Sequence, residues 1–290
     1  MTRTERRYAR LVRLYPARCP REEILDTVLQ GNGTFSFREA IALLTGALRA
    51  RTGADVPRTP AGFAWSATRL AALALLVHAA AVDLLTALPL DVPAIAATAG
   101  GILQYATAGL LALILHLTAI VSLTRGAHRL AAATTGLGLF ASVVGQMRFG
   151  LAWFHDGFWS APLAALLVTA LAFAAHRERS SPLWWLLAVI PAVVLLPTGS
   201  GTVLDPALFI DQQALLVLTG AALIWSSLDP RVPLAMAALG LSNALTGLSA
   251  TLLDYGAVPA SMVALQVAIA TVPVLALVAA AAYRRRRSPI

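Results

Sequence analysis

Lysine is absent from this 290-residue chain, and all 22 of its basic residues are arginine. Without a lysine amine there is no Schiff-base chemistry and no phosphate-loop lysine. A single cysteine, Cys19, excludes an intrachain disulfide and a paired-thiolate metal site. Catalytic spacings are missing too: no His-Glu-x-x-His, no Gly-x-Ser-x-Gly and no glycine-rich nucleotide loop occurs. No cofactor or metal is expected, and the chain does not read as an enzyme. Charge is scarce, at 12% of residues against about 25% in a soluble domain. With 58% hydrophobic residues and a mean hydropathy of +0.75, the chain cannot cover a water-facing surface. The formal charge of +8 would ordinarily raise nucleic acid as a partner. Here the positive charge is spread along membrane-flanking positions, so nucleic acid is not expected.

What is present is a polar N-terminal region followed by apolar stretches. Residues 1–60 read as a cytosolic three-helix domain. Met1–Arg69 holds twelve arginines against six acids, a net of +6. Tyr8, Leu11, Val12 and Tyr15 make the apolar stripe of a first helix that Pro16 ends. Pro20 opens a second, with Glu22 and Glu23 in the first turn, where the helix dipole favours acids. Its apolar face is Ile24, Leu25, Val28 and Leu29. Ser36 caps a third, with Glu39 as its box partner, and that helix carries Phe37, Ile41, Leu44 and Leu48.

Residues 61–290 read as an all-α membrane bundle of about eight transmembrane helices, near 66–88, 101–123, 130–152, 158–175, 183–203, 212–228, 232–253 and 259–283. Each is measured against the ~20 residues needed to cross ~30 Å of hydrocarbon. The first begins near Ala64, too far in for a cleaved signal. Twenty-one of the 22 arginines then fall on one side. They include Arg125 and Arg129, Arg177 and Arg179, Arg231 and the tail Arg284, Arg285, Arg286 and Arg287. The opposite loops carry Asp91, Asp156, Asp205, Asp211 and Asp254 with no basic residue. Cytoplasmic loops collect arginine, so both termini are expected inside a multi-pass protein of the cell (inner or plasma) membrane. The tail arginines are expected on anionic lipid headgroups.

Ionisable groups at membrane depth are the candidate site, because burying one there is costly without a function or a partner. Asp83 lies fourteen residues beyond Arg69, roughly 21 Å in, and needs a partner or neutralisation. Arg148, the one arginine off the inner face, reads either as a headgroup or Asp83/Asp156 partner or as an anion contact in an outward cavity. His78 and His116 fall on helices adjacent in sequence, hence antiparallel and able to approach. Pro191, Pro197 and Gly199 mark a break in the fifth span, which reads as a kink near the outer interface. Gly136, Gly138 and Gly145 on the third span, with Gly240 and Gly247 on the seventh, permit close helix approach.

Tyr8-Ala-Arg-Leu-Val-Arg-Leu-Tyr-Pro16, Arg21-Glu-Glu-Ile-Leu25, Arg38-Glu-Ala40 and Leu48-Arg-Ala-Arg-Thr-Gly53 together resemble a permease-prefix-like domain. Such domains occur at the cytosolic N-terminus of actinobacterial membrane proteins, and related ones on proteins encoded beside PadR-type regulators. Pro20 departs from that pattern. The resemblance covers about 55 residues and implies cytosolic interaction or signalling. The leading expectation is therefore a non-enzymatic membrane protein with a cytosolic partner for residues 1–60. A transporter or permease subunit, using a separate ATPase if ATP-driven, is the alternative. A lipid-modifying enzyme is the third.

Overall fold

The structure is a computed structural model that describes residues 2–17, 19–31, 35–52, 59–87, 99–147, 159–174, 229, 231–253, 268, 271–272, 274–279 and 282–283. Among these every regular element is an α-helix. They are α1 (Arg3–Val12), α2 (Arg21–Gly31), α3 (Phe37–Thr52), α4 (Pro60–Ala87), α5 (Ala99–Thr124), α6 (His128–Met147), α7 (Ser160–Phe173) and α8 (Val232–Leu253). The all-helical expectation holds. Among the described residues two helices are long and apolar enough to cross a membrane, Ala61–Leu84 and Ala106–Thr124, with shorter apolar helices at Ser160–Phe173 and Val232–Ser242. The fifth and sixth expected spans lie outside the described residues.

Two separate apolar clusters organise the chain. In the first, Tyr8, Val12 and Tyr15 of α1 and its following turn meet Leu43, Ala47 and Ala50 of α3, with Ile24, Leu25, Val28 and Leu29 of α2 packed alongside. The first two helices thus bury the stripes their spacing marks. The third does not. Phe37 is 76% exposed, and Ile41 and Leu44 are also exposed, while Ala40, Leu43, Ala47 and Ala50 face the core. The reason is volume. Tyr15 lies so close to α3 that a Cβ on Gly46 would overlap its hydroxyl, so α3 has no room for a side chain at that position.

Caps fix where these helices begin. Thr2 and Glu5 form a reciprocal capping box on α1, with Thr2 N donating to Glu5 Oε2 at 2.7 Å and Glu5 N donating to Thr2 Oγ1 at 3.2 Å. At the start of α3, Tyr8 is inserted into the box expected between Ser36 and Glu39. The Ser36 N–H donates to the Tyr8 hydroxyl at 2.8 Å, and that hydroxyl donates to the Glu39 carboxylate. The Arg21 guanidinium donates to the Tyr15 carbonyl at the end of the first turn region, with Nε at 3.0 Å.

Burial, then the Glu39 carboxylate, push the Tyr8 phenol above its ordinary value of 10.0. The sign follows. In the unfolded chain the phenol ionises first, so stability from neutral Tyr8 is full below pH 10.0 and is lost as pH climbs through the folded value. Alkaline titration followed by circular dichroism is expected to show loss of helicity above that point. Tyr8→Phe should flatten this alkaline limb while costing about 1–3 kcal/mol at neutral pH, since Ser36 N–H loses its acceptor. An alkaline limb unchanged in Tyr8→Phe would assign the titration elsewhere.

The second cluster is built around α4. Residues 71–80 are buried without interruption, and α4 packs against α5, α7 and α8. A helix buried on every side must be apolar all round. Its candidate span is 72% buried, against 33% for that of α5, which puts α4 in the centre and α5 at the edge. The outward faces are apolar as well. Leu110, Leu111, Ile114, Leu117 and Val121 on α5, and Leu130, Leu137, Phe140 and Val144 on α6, are all exposed at helical spacing. In water such rows would be contiguous hydrophobic patches.

Directions are set by specific contacts. The Trp65 ring meets His128 edge-on at 5.4 Å, so α4 and α6 start at the same end. Arg69 Nη2 donates to the carbonyls of Leu123 at 2.6 Å and Thr124 at 3.1 Å, which places the end of α5 there too. A Schellman turn closes α5: Ala127 N–H reaches Ser122 O and Gly126 N–H reaches Leu123 O, with Gly126 at φ 81°. That conformation is one glycine adopts without strain. Trp159 Nε1 donates to Ser249 Oγ at 2.7 Å, making α7 and α8 antiparallel.

Candidate functional site

Three helices bring polar groups to one point inside the bundle. Asp83 comes from α4, His116 from α5 and Ser142 from α6. His116 Nδ1 lies 2.5 Å from Asp83 Oδ2, and Ser142 Oγ donates to Asp83 Oδ1 at 3.0 Å. His116 is 0% exposed and Asp83 6%. One proton between Nδ1 and Oδ2 satisfies both atoms, and the serine hydroxyl takes the other carboxylate oxygen. Asp83 therefore has the partner its depth demands.

Helix lean explains why these two meet. By rise alone Asp83 is roughly 21 Å from Arg69 on α4, whereas His116 is roughly 12 Å from Thr124 on α5. Side chains tilt toward the N-terminus of their own helix. In an antiparallel pair that moves Asp83 and His116 toward each other.

The imidazole fits because α6 offers no side chain where its ring lies. A Cβ on Gly138 would come 2.8 Å from His116 Nε2 and 3.0 Å from Cδ2. Gly145 does the same one step on, where a Cβ would meet Ala108 Cβ at 2.5 Å. Gly136, by contrast, faces open space and contributes nothing to close approach. So Gly138, Ser142 and Gly145, spaced four and three apart, form the small face of α6 against α5. Gly138→Ala is expected to cost about 1–3 kcal/mol by overpacking against the ring. Thermal unfolding in detergent measures it, and a neutral result would mean the ring has room to move.

Among the described residues His116 Nε2 is buried without a hydrogen-bond partner. Ser142 touches the carboxylate rather than this nitrogen, so the serine, histidine and aspartate do not form a nucleophile–base–orienter relay. Among the described residues no group of three or more His, Cys, Asp or Glu is arranged to hold a metal.

The remaining candidates fall elsewhere. His78 is buried on α4 at 1% exposure, about 140° round the helix from Asp83. Arg148 and the helix break at Pro191, Pro197 and Gly199 lie outside the described residues, as do Arg284 to Arg287. Arg69 is not a free flanking arginine. It is 2% exposed, and its guanidinium lies 5.4 Å from the Trp65 ring centroid while bonding the end of α5. Arg231 is likewise held, in an ion pair with Asp229 just ahead of α8. Ser142 was not legible as a site residue. Its one signal is the four-residue spacing from Gly138.

No protein-family model, curated protein or solved structure matches the chain.

Proposed function

We propose that this chain is a non-enzymatic multi-pass membrane protein that recruits a cytosolic protein through its N-terminal three-helix module. In this reading the bundle crosses the cell membrane about eight times with both termini inside. The lipid-ready outer faces of α5 and α6 support the membrane part. The observation that carries the recruiting part is the row Phe37, Ile41 and Leu44, exposed on α3. These residues belong to the polar N-terminal region, where lipid does not account for an apolar surface. Anchors at i, i+4 and i+7 suit a partner helix laid along them.

The test is co-purification of the full chain from native membranes. A soluble protein recovered stoichiometrically with the wild type should be lost in Phe37→Glu/Ile41→Glu, with unchanged helicity. Recovery of lipid alone, or a partner indifferent to both substitutions, would sink the recruiting role.

A proton- or ion-coupled transporter is the second reading, favoured by the ionisable Asp83–His116 pair inside the bundle. The closed packing around that pair supports a structural clamp instead. Proteoliposomes that carry a solute only under a proton gradient, and stop in His116→Phe, would reverse the order.

A further inference from the structure

We infer that α1 is the surface by which the N-terminal module lies on the anionic cytoplasmic leaflet. The inference rests on the membrane reading above, with the module inside. Arg3, Arg6, Arg7, Arg10 and Arg13 are all exposed. At 100° per residue they occupy about 120° of the helix circumference and about 15 Å of its length. No acid shares that face. Glu5 is turned to Thr2, and the exposed Glu22, Glu23 and Asp26 belong to α2. Arg7 also stacks over the Phe35 ring at 5.3 Å.

The orientation of the row is fixed by the module's own contacts. Tyr8 points from α1 toward Glu39 of α3, and Tyr15, in the turn after α1, toward Gly46. The centre of the arginine row is roughly 160° from Tyr8. On α3, Phe37, Ile41 and Leu44 are roughly 180° from Glu39 and Gly46. The basic row and the apolar row therefore face opposite ways. With arginines on the lipid, the α3 row is left toward the cytosol.

Charge complementarity selects the occupant. A row of arginines without acids matches phosphate headgroups, which accept the guanidinium fork in bidentate hydrogen bonds. Reach favours the same surface. Only seven residues separate Thr52, the end of α3, from Pro60, the start of α4. Fully extended they span at most about 25 Å, so the module cannot leave the leaflet's neighbourhood.

The test uses the full-length chain in nanodiscs. Cys19→Ser removes the native thiol, and Leu14→Cys, on the exposed face beside Arg10 and Arg13, takes a spin label. Accessibility to an aqueous nickel relaxant is compared in phosphatidylcholine discs and in discs containing anionic phosphatidylglycerol. The label should be shielded only in the anionic discs and exposed again by added salt, which screens the contact. Arg6→Gln/Arg10→Gln/Arg13→Gln should lower the docked-to-undocked ratio about a hundredfold, at about fivefold per arginine. Glutamine keeps helix propensity, and unchanged circular dichroism confirms the fold. Equal exposure in both lipids overturns the docking. Equal shielding in both overturns it as well, because the face would then be held by protein, either this chain or a second copy. Failure of the chain to enter nanodiscs at all would instead overturn the membrane reading.

Discussion

Asp83→Ala is expected to lower the bundle's unfolding free energy by about 2–5 kcal/mol, the scale for leaving two buried polar groups unsatisfied. Two groups are stranded at once: His116 Nδ1, now facing an empty position, and Ser142, whose hydroxyl loses its acceptor. Asp83→Asn should be far milder, because the amide oxygen still accepts from Nδ1 and the serine hydroxyl can turn to accept from the amide nitrogen. The decisive variant is Asp83→Leu/His116→Phe. Phenylalanine keeps a flat ring over Gly138, leucine replaces the carboxylate, and Ser142 can bond back to its own helix four residues earlier. A well-packed apolar replacement of a buried pair is often neutral. The double variant is therefore expected within about 1.5 kcal/mol of the wild type. A coupling energy near zero in the double-mutant cycle would show that the two residues act separately. Retained partner recruitment in the stable double variant would mark the pair as a clamp. Lost recruitment with retained stability would mark it as functional.

Much of this arrangement is legible in the sequence. The stripe of α1, Pro20 ahead of α2, Ser36 ahead of α3 and a buried Asp83 in need of a partner all follow from local chemistry. What was not legible depends on distance between helices. The α3 face was hidden because hydrophobicity points to Phe37, Ile41 and Leu44. The face turned to Tyr8 and Tyr15 instead buries Ala40, Leu43, Ala47 and Ala50, with Gly46 held free of a side chain by the Tyr15 hydroxyl. Apolar area marks one face of α3, whereas the approach of a neighbouring side chain decides which face is buried. The same limit hid Ser142. A serine in an apolar helix ordinarily bonds its own backbone, and only the close approach of α5 and α6 along Gly138 and Gly145 carries it to Asp83. Arg69 adds a detail that counting arginines does not give: its length lets it turn inward and bond the end of α5.

That inward turn leads to the second large effect. Arg69→Met is expected to cost about 2–4 kcal/mol. It removes charge-assisted bonds to the Leu123 and Thr124 carbonyls and the contact with Trp65. Leu123 O also accepts from Gly126 N–H, so the loss falls chiefly on the Thr124 carbonyl, which a helix end leaves without an intrahelical donor. Methionine keeps the apolar stem, which isolates the guanidinium from packing. Arg69→Lys should recover less than half, since an ammonium has no planar fork to reach two acceptors while lying over an indole. Orientation should not change, because eleven arginines remain ahead of the first span. Unfolding in detergent and cysteine-labelling of the C-terminal tail separate the two properties. A stable Arg69→Met with an inverted tail would mean that this arginine directs insertion and merely rests against α5. A destabilised variant with an unmoved tail would mean that one side chain, although basic and near the inner end, belongs to the core.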